Sequence, residues 1–396
     1  MYLTKEQERM LSGELGEAYA RALKLIVKVG EALGATRLVE IVHAHVSGIS
    51  FLNIMEPGAA FIRDLASSGA RARVYTTINP GCMDYLGLSA NVLDVSCFAG
   101  QELIDDSLGA MGFKLTHTCI PYYHRPPSPG EHLAWGESSA VAMANSFYGA
   151  MTNREGGPVA LASALTGYTY YSGLHVLENR TAKVLVKVDG RLLETYPGLV
   201  GLWLGESIKE IPLVRARGLG YALESFSAFK LMLAASAASG AHDLVVLDGI
   251  TPRNTYLEEI EERVEVDRKD LEEFEEPPPS NGDAVLGYIG CPHLHPYEFV
   301  QVFKHVMARG KPLRDRVLML TVPRDLQAMF YEELLRLRAK GVRVLAGTCP
   351  VVSRLLGKFD VMVTNSGKAA FYTRISRNLR VRIETTLGVV KAVYGG

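Results

Sequence analysis

The chain has 396 residues, of which 48% are hydrophobic and 21% charged, and its formal net charge at pH 7 is −1. This composition supplies enough apolar side chains for one large core or two fused cores and gives no sign of disorder. The balanced charge offers no general basic surface for nucleic acid, and the sequence contains neither a signal-peptide pattern nor an apolar run long enough to span a bilayer. The sequence therefore predicts a cytoplasmic globular protein that binds neither nucleic acid nor membrane.

The first elements predicted along the chain are a helical arm and two short strands. Thr4 and Gln7 form a capping box, the reciprocal pattern that begins a helix, and a helical apolar periodicity continues to Gly34. Residues 38–43 and 73–77 have the composition of strands, and each run leads into a loop rich in Gly, Ser, Asn or Pro. Such loops at strand ends are typical of functional sites.

The middle of the chain, residues 116–179, is crowded with small and polar residues, and no regular core strand is predicted there. A long surface loop would fit this composition. The combination of Cys, Trp, Glu-Ser-Ser and Arg-Glu between helical segments instead favours the wall of an active site.

Residues 257–276 form an acid-rich stretch that ends at three consecutive prolines. The abundance of glutamate predicts a solvated helix before a linker. We place a boundary at this break and predict two regions, 1–276 and 281–396.

Beyond the prolines, strands and helices alternate. Strands are predicted at 284–289, 317–321, 342–346 and 359–364, and helices at 296–308 and 324–340. Because this alternation is the pattern of βαβ units, a parallel sheet flanked by helices is expected. The predicted fold class is α/β, with parallel or mixed helix-flanked sheets.

Distinctive residues follow three of these C-terminal strands, at the edge where parallel sheets bind ligands. Cys291 lies in Gly-Cys-Pro-His, Cys349 in Gly-Thr-Cys-Pro, and Lys368 in Asn-Ser-Gly-Lys. Two thiols and an ammonium group would therefore converge on one edge of the sheet. Cys119, in Thr-Cys-Ile-Pro, has a similar turn context and is the natural third thiol.

The remaining cysteines are weaker candidates for a metal ligand. Cys97 has an apolar context and is predicted to be a small core residue, whereas Cys82 is a possible fourth ligand but is better explained as a neighbour of the site. Three thiolates suggest an iron–sulfur cluster with one iron left open for Lewis-acid catalysis. A zinc hydrolase using His293 and His295 beside Cys291 is one alternative, and a non-catalytic binding lobe of a larger assembly is another.

A series of strings through most of the chain resembles the aconitase X family, distant relatives of aconitase. They are AHVSG at 44–48, TTINP at 76–80, TCIPYY at 118–123, GEHLAWGESSAV at 130–141, ANSFYGAMTNREGGP at 144–158, GLHVLENR at 173–180, GCPH at 290–293 and TNSGKAAFY at 364–372. The resemblance implies a multi-lobed aconitase-like fold. It also implies a hydro-lyase, a dehydratase that removes water from a small hydroxy acid.

The resemblance further implies a [4Fe-4S] cluster held by Cys119, Cys291 and Cys349. It assigns substrate binding to residues of strand-end loops: Gly48, Ile49, Ser50, Asn79, Pro80, Ser138, Ser139 and Lys368. Backbone amides and hydroxyls in such loops bind anions, and a lysine adds a point charge for phosphate or carboxylate. Arg154 and Arg180 are either further anion clamps or members of structural ion pairs.

The substrate implied most closely is (R)-5-phosphomevalonate, dehydrated to trans-anhydromevalonate 5-phosphate in an archaeal mevalonate pathway of isoprenoid biosynthesis. The alternative within the family is cis-3-hydroxyproline. The chain resembles the large subunit of the two-chain form, and it is expected to lack the swivelling domain because few residues follow Lys368. The general base is then expected on a small partner subunit that carries this domain, whereas His132 and Glu137 are expected to orient Ser138 and Ser139.

Overall fold

A computed structural model of the protein describes residues 1–87, 93–219, 223–354, 357–377 and 379–395. Both predicted regions, 1–276 and 281–396, include residues that lie outside these ranges. Within the ranges the chain forms four sheets, and helices pack between and against them. None of the helices described there has the length and apolar character needed to cross a membrane.

The N-terminal part of the chain contains two small sheets. Its helices are α1 (Lys5–Leu11), α2 (Glu17–Ala32), α3 (Phe51–Ser67), α4 (Phe98–Ala110), α5 (Ser138–Ser146) and α6 (Gly157–Thr166). Its strands are β1 (Leu38–Glu40), β2 (His43–Val46), β3 (Tyr75–Ile78), β4 (Leu133–Trp135) and β5 (Tyr168–Tyr170). β2 lies between β3 and β4 and is parallel to both, whereas β1 pairs antiparallel with β5.

The predicted N-terminal arm is helical but interrupted. Thr4 and Gln7 form the capping box that begins α1. The chain leaves the helical path between α1 and α2, where Gly13 and Gly16 adopt φ angles of +90° and +113° that glycine tolerates without strain. The second helix then ends close to the stop predicted at Gly34.

The central segment contains two core strands that were not predicted, β4 and β5. Both are fully buried, but three residues are too few for the alternating pattern by which a strand is recognised in a sequence. α5, which follows β4, is also buried almost throughout, and its Ala and Ser side chains allow close packing against α9 (Leu223–Ser239).

A third sheet, called the middle sheet below, follows in the chain, and all its strands are parallel. Its strands are β6 (Thr181–Asp189), β7 (Pro212–Arg217), β8 (Val246–Leu247) and β9 (Leu257–Val266), and its helices are α7 (Gly190–Thr195), α8 (Pro197–Ser207) and α9. The strand order is β8-β7-β6-β9.

The prediction of a helix at 257–276 is wrong. The first half of this segment is β9, an edge strand paired with β6, and the second half contains a short 3-10 helix, Lys269–Phe274. Glutamate favours helices, but Ile260, Val264 and Val266 contact the hydrophobic cores on the sheet, and this packing overrides intrinsic propensity. The exposed glutamates also discourage pairing of the edge with another chain.

The C-terminal sheet contains the parallel βαβα arrangement that the sequence predicts, extended by a fifth strand and two further helices that were not predicted. Its strands are β10 (Val285–Ile289), β11 (Arg316–Val322), β12 (Arg343–Ala346), β13 (Val361–Thr364) and β14 (Arg380–Ile383). Its helices are α10 (Pro296–Met307), α11 (Leu326–Ala339), α12 (Gly367–Arg377) and α13 (Thr386–Tyr394). The strand order is β12-β11-β10-β13-β14. β10, which comes first among these five strands in the sequence, therefore lies at the centre of the sheet.

One hydrophobic cluster connects three of the four sheets. It joins Trp135 of β4, Val186 of β6 and Tyr288 of β10 to Met143 of α5 and Met232 of α9, and all five are buried. Because packed interiors resist relative movement of their parts, this core fixes the loops of one sheet against those of the others.

Candidate active site

Loops at the strand ends of the β3-β2-β4 sheet and of the C-terminal sheet meet in one site. Lys368, in the first turn of α12, donates hydrogen bonds to Glu137 and to the hydroxyls of Ser138 at 3.2 Å and Ser139 at 3.4 Å, all in the segment that follows β4. The Glu-Ser-Ser and Asn-Ser-Gly-Lys strings, far apart in the sequence, therefore form a single contact unit.

Glu137 and Lys368 form an ion pair at the centre of this unit, with 13% and 9% of their side-chain surface exposed. Burial alone would raise the pKa of Glu137, but the charge and hydrogen bond of Lys368, together with a hydrogen bond from Asn79, lower that pKa to about 2. Burial would lower the pKa of Lys368, but the attraction of Glu137 outweighs it and raises that pKa. Glu137 is therefore a carboxylate that only accepts hydrogen bonds, and Lys368 is a full cation.

The contacts of Glu137 are those of an orienting group. It accepts hydrogen bonds from the hydroxyls of Ser139 at 3.1 Å and Ser138 at 3.4 Å, and it caps the N-terminus of α5. His132 instead faces another part of the molecule, where its Nδ1 lies 2.9 Å from Nδ1 of His175.

The residues assigned to substrate after β2 and β3 line the same edge. Asn79 donates from Nδ2 to Glu137 Oε2 at 3.1 Å, and Pro80, the next residue, is buried. Gly48 has a φ angle of +71°, Ile49 is buried, and the Ser50 hydroxyl donates to the carbonyl of Val352 at 2.7 Å. This last contact joins the β2 loop to the loop that carries Cys349.

Gln101 connects these loops by hydrogen bonds, and the sequence did not identify it as a functional residue. Its Oε1 accepts from the amides of Phe51 at 3.0 Å and Cys82 at 3.2 Å, while its Nε2 donates to the carbonyl of Ile49 at 3.2 Å and to Asp105 at 2.9 Å. Gln101 and Asp105 are both buried on α4. Polar residues at helical spacing on the apolar face of a helix are the signal that could have revealed them.

The structure brings the three predicted cysteine ligands together. The amide of His293, two residues after Cys291, donates to Cys119 Sγ at 3.2 Å. Cys349 is close enough to Cys291 and to Cys119 for the thiols to influence one another's pKa. Cys119 and Cys291 are buried and Cys349 is half-buried.

Polar groups near two of these sulfurs favour the thiolate form. The Ser366 hydroxyl near Cys291 and the amides of Val351 and Val352 near Cys349 each act to lower the pKa of the thiol. Burial still dominates and raises the pKa of all three thiols, to about 12 for Cys349. Deprotonation would therefore require an added positive charge such as a metal centre supplies.

This donor set fits a cluster better than a single ion. Among the residues that the structure describes, no three His, Cys, Asp or Glu side chains converge so as to hold one metal ion. Cluster cysteines bind different irons and need no such convergence. His293 Nε2 contacts the Thr348 carbonyl at 3.1 Å and His295 Nδ1 caps α10, so one nitrogen of each ring is already engaged within the protein.

The remaining cysteines lie beside each other. Cys82 Sγ donates to the Cys97 carbonyl at 3.7 Å, and Cys97 Sγ donates to the Cys82 carbonyl at 3.6 Å. Both side chains are buried, and burial raises the pKa of Cys82 to about 12. Cys97 is thus the small buried residue that its sequence context predicts.

The two arginines left open by the sequence have structural contacts. Arg154 pairs with Asp243 and donates to the Ala237 carbonyl at 3.1 Å. Arg180 is fully buried and donates to the backbone carbonyl of Thr255 at 2.5 Å and to the Asn145 side chain at 3.1 Å. Their hydrogen bonds connect the N-terminal part of the chain to the region of the middle sheet, β8-β7-β6-β9.

Comparisons with known proteins place the chain among dehydratases. It is 36% identical over 405 residues to the phosphomevalonate dehydratase large subunit of Thermococcus kodakarensis, covering 99% of each chain. It is 39% identical to the protein of the same name from Aeropyrum pernix, covering 94% of this chain and 95% of that relative. It is 29% identical to the cis-3-hydroxy-L-proline dehydratase of Pseudomonas aeruginosa, covering 98% of this chain and 69% of that protein.

Structure and domain comparisons agree with these relatives. The crystal structure of Thermococcus kodakaraensis aconitase X in its holo-form matches the fold with a TM-score of 0.86 and 34% identity, covering 99% of this chain and 100% of that chain. The first, second and third domains of aconitase X match residues 1–178, 182–276 and 284–395, respectively. The resemblance seen in the sequence is confirmed, and the chain belongs to the aconitase X family.

Proposed function

We propose that this chain is the large catalytic subunit of a phosphomevalonate dehydratase, a hydro-lyase that converts (R)-5-phosphomevalonate to trans-anhydromevalonate 5-phosphate. The observation that carries the proposal is the similarity over nearly the full length of relatives bearing that name, at 36% and 39% identity. cis-3-Hydroxyproline is the alternative substrate. The dehydratase named for it is more distant, and the chain spans 69% of its length.

We assign Cys119, Cys291 and Cys349 as the ligands of a [4Fe-4S] cluster. The proximity of the three thiols, the hydrogen bond from the His293 amide to Cys119, and the polar groups near Cys291 and Cys349 support this assignment. An iron–sulfur centre with one iron free of cysteine supplies a Lewis acid for the departing hydroxyl group of a substrate.

The chain's own contribution is to bind and orient the anionic substrate. Lys368 supplies a point charge for carboxylate or phosphate, and the ionised Glu137 keeps that charge fully developed in a buried position. A positive group near the substrate carboxylate stabilises the negative charge that develops as the neighbouring carbon loses its proton. Backbone amides of the Gly48-Ile49-Ser50 loop provide further anion contacts. Asn79 and Pro80 are assigned to the substrate by their place on the same edge, since Pro80 has no N–H group and the Asn79 backbone amide donates to the Val46 carbonyl.

The general base is proposed to come from a small partner subunit that carries the swivelling domain. Glu137 is a poor base because a carboxylate with a pKa of about 2 has little tendency to take a proton at neutral pH. His132 is engaged with His175 and not with Ser138 or Ser139. The relatives' designation as large subunits supports the existence of a smaller partner.

The test is to produce the chain anaerobically with and without the candidate small subunit, measure iron and sulfide, and assay both substrates. We expect a brown protein with about four irons per chain and turnover of (R)-5-phosphomevalonate by the two-chain complex. A cluster-loaded complex that dehydrates only cis-3-hydroxyproline would replace the proposed substrate. A loaded complex that turns over neither compound would refute the proposed activity.

A further inference from the structure

A chain of buried hydrogen bonds runs from the interior of β2 to the Glu137–Lys368 ion pair. His43 and His45 lie on one face of β2, and Thr77 of β3 is the register partner of His45. The Thr77 hydroxyl oxygen lies 2.9 Å from His43 Nε2 and 2.8 Å from His45 Nδ1. On the far side of the second ring, His45 Nε2 lies 3.3 Å from Asn79 Oδ1.

The carboxylate at the end of this chain fixes the direction of each hydrogen bond. Because Glu137 only accepts, Asn79 must point Nδ2 toward Glu137 and Oδ1 toward His45. His45 must then carry its proton on Nε2, so its Nδ1 accepts from the Thr77 hydroxyl. The Thr77 oxygen in turn accepts from Nε2 of His43. Burial lowers the pKa of both rings, to about 4 for His45, and keeps them neutral.

We infer that His45 is a positioning residue that holds the Asn79 amide in one orientation and thereby keeps Glu137 and Lys368 arranged for an anionic substrate. The inference rests on the proposed function, in which Asn79 and Lys368 contact that substrate. Without the Nε2 donor, the Asn79 carbonyl would lose its partner and the amide would be free to rotate. Thr77 and His43 act one step further back, because they fix the tautomer of His45.

The two amide substitutions of His45 separate the roles of its two nitrogens. His45→Gln places an amide N–H near the position of Nε2 and should retain kcat/KM within about threefold of the wild type. His45→Asn keeps an acceptor near Nδ1 but loses the donor to Asn79, and it should lower kcat/KM by about tenfold or more, chiefly through a higher KM. Equal losses in both variants would indicate a packing role and overturn the inference, as would two variants with unchanged kinetics.

β3 offers a matched control for the hydroxyl. Thr77→Val removes the link between the two histidines, whereas Thr76→Val makes the same change one residue earlier, where the hydroxyl donates only to the Val74 carbonyl at 3.0 Å. We expect the first variant to follow His45→Asn and the second to match the wild type, with iron content and melting temperature checked for each. Equal kinetics in the two valine variants would contradict the inference. If His45→Asn does not fold, this pair decides the question.

A measurement that needs no turnover separates failure of this inference from failure of the proposed function. Long-range proton–nitrogen NMR of protein labelled with ¹⁵N-histidine reports the tautomer of each ring, with signals assigned from His43→Gln and His45→Gln. We expect both rings to be neutral with the proton on Nε2. A proton on Nδ1, or a charged ring near neutral pH, would overturn the inference even in an active enzyme. If the enzyme is inactive on phosphomevalonate but both rings have the expected tautomers, the inference about the hydrogen-bond chain is retained. Only the proposed substrate is then refuted.

Discussion

Glu155 is a buried carboxyl group whose ionisation should make the stability of this protein depend on pH. It is 2% exposed, and its oxygens accept hydrogen bonds from the hydroxyls of Thr169 and Tyr170, both at 2.9 Å. Burial raises the pKa of Glu155 to about 7, although both hydrogen bonds oppose that shift. Between the pKa of an exposed glutamate, about 4.3, and this value, the folded protein binds more protons than the unfolded chain.

The sign and size of the effect follow from this difference. The raised pKa means that the folded state is favoured least at high pH, so stability falls as pH rises from about 4.3 through about 7. A pKa difference of nearly three units corresponds to a total loss of roughly 4 kcal/mol, most of which falls between pH 5 and pH 8.

Glu155→Gln removes the ionisation and keeps a side chain of nearly the same shape that can bond both hydroxyls. The free energy of unfolding, measured by urea titration at several pH values, should favour the variant over the wild type by roughly 2 to 3 kcal/mol more at pH 8 than at pH 5. The contributions of all other titrating groups to the pH dependence are the same in both proteins and cancel in this comparison. Glu56→Gln, at an exposed position, is the matched control. Parallel pH profiles for wild type and Glu155→Gln would refute the reasoning.

Replacing any one of Cys119, Cys291 and Cys349 by serine should abolish iron and sulfide binding, whereas Cys97→Ser should retain both; bleaching by Cys97→Ser would show that the ligand assignment is wrong. Lys368→Ala should lower kcat/KM at least about tenfold and also lower the melting temperature, because it leaves Glu137 buried without a counter-ion. The double variant Lys368→Ala/Glu137→Gln should regain the melting temperature but not the activity. Unchanged kinetics in a folded Lys368→Ala variant would exclude the anion-binding role of Lys368. The chain alone should load a cluster yet show no turnover, and full activity without a small subunit would return the search for the base to this chain.

Four strands of the C-terminal sheet could be predicted from the sequence because they are short apolar runs. β14 was not predicted, because Arg380 and Arg382 interrupt its apolar residues. The acid-rich segment could not be predicted either, because its glutamates favour a helix and only the pairing of β9 with β6 makes it a strand. β4 escaped prediction because it is too short to show an alternating pattern. The division of the chain into 1–276 and 281–396 stays a prediction, although the prolines at its boundary do lie between β9 and β10.

The site was predictable as a set of strand-end loops but not as a set of contacts. Cys291, Cys349 and Lys368 each follow a parallel strand, and topology alone brings such positions to one edge. The contact between Lys368 and Glu137 joins residues 231 positions apart in different sheets. It depends on how the sheets pack on their shared core, which no local pattern encodes.

That contact bears on the proposed role of Lys368 in substrate binding. A lone lysine in this buried position would tend to lose its proton, and the ionised Glu137 prevents this before any substrate arrives. An ammonium group has three donors, and the contacts with Ser138 and Ser139, at 3.2 and 3.4 Å, are the ones most easily exchanged for a substrate oxygen. In the proposed function, a substrate anion would therefore reach Lys368 without breaking the ion pair. Both serine hydroxyls donate to Glu137, so this carboxylate would hold the two sequence strings together while Lys368 exchanges its serine contacts for the substrate.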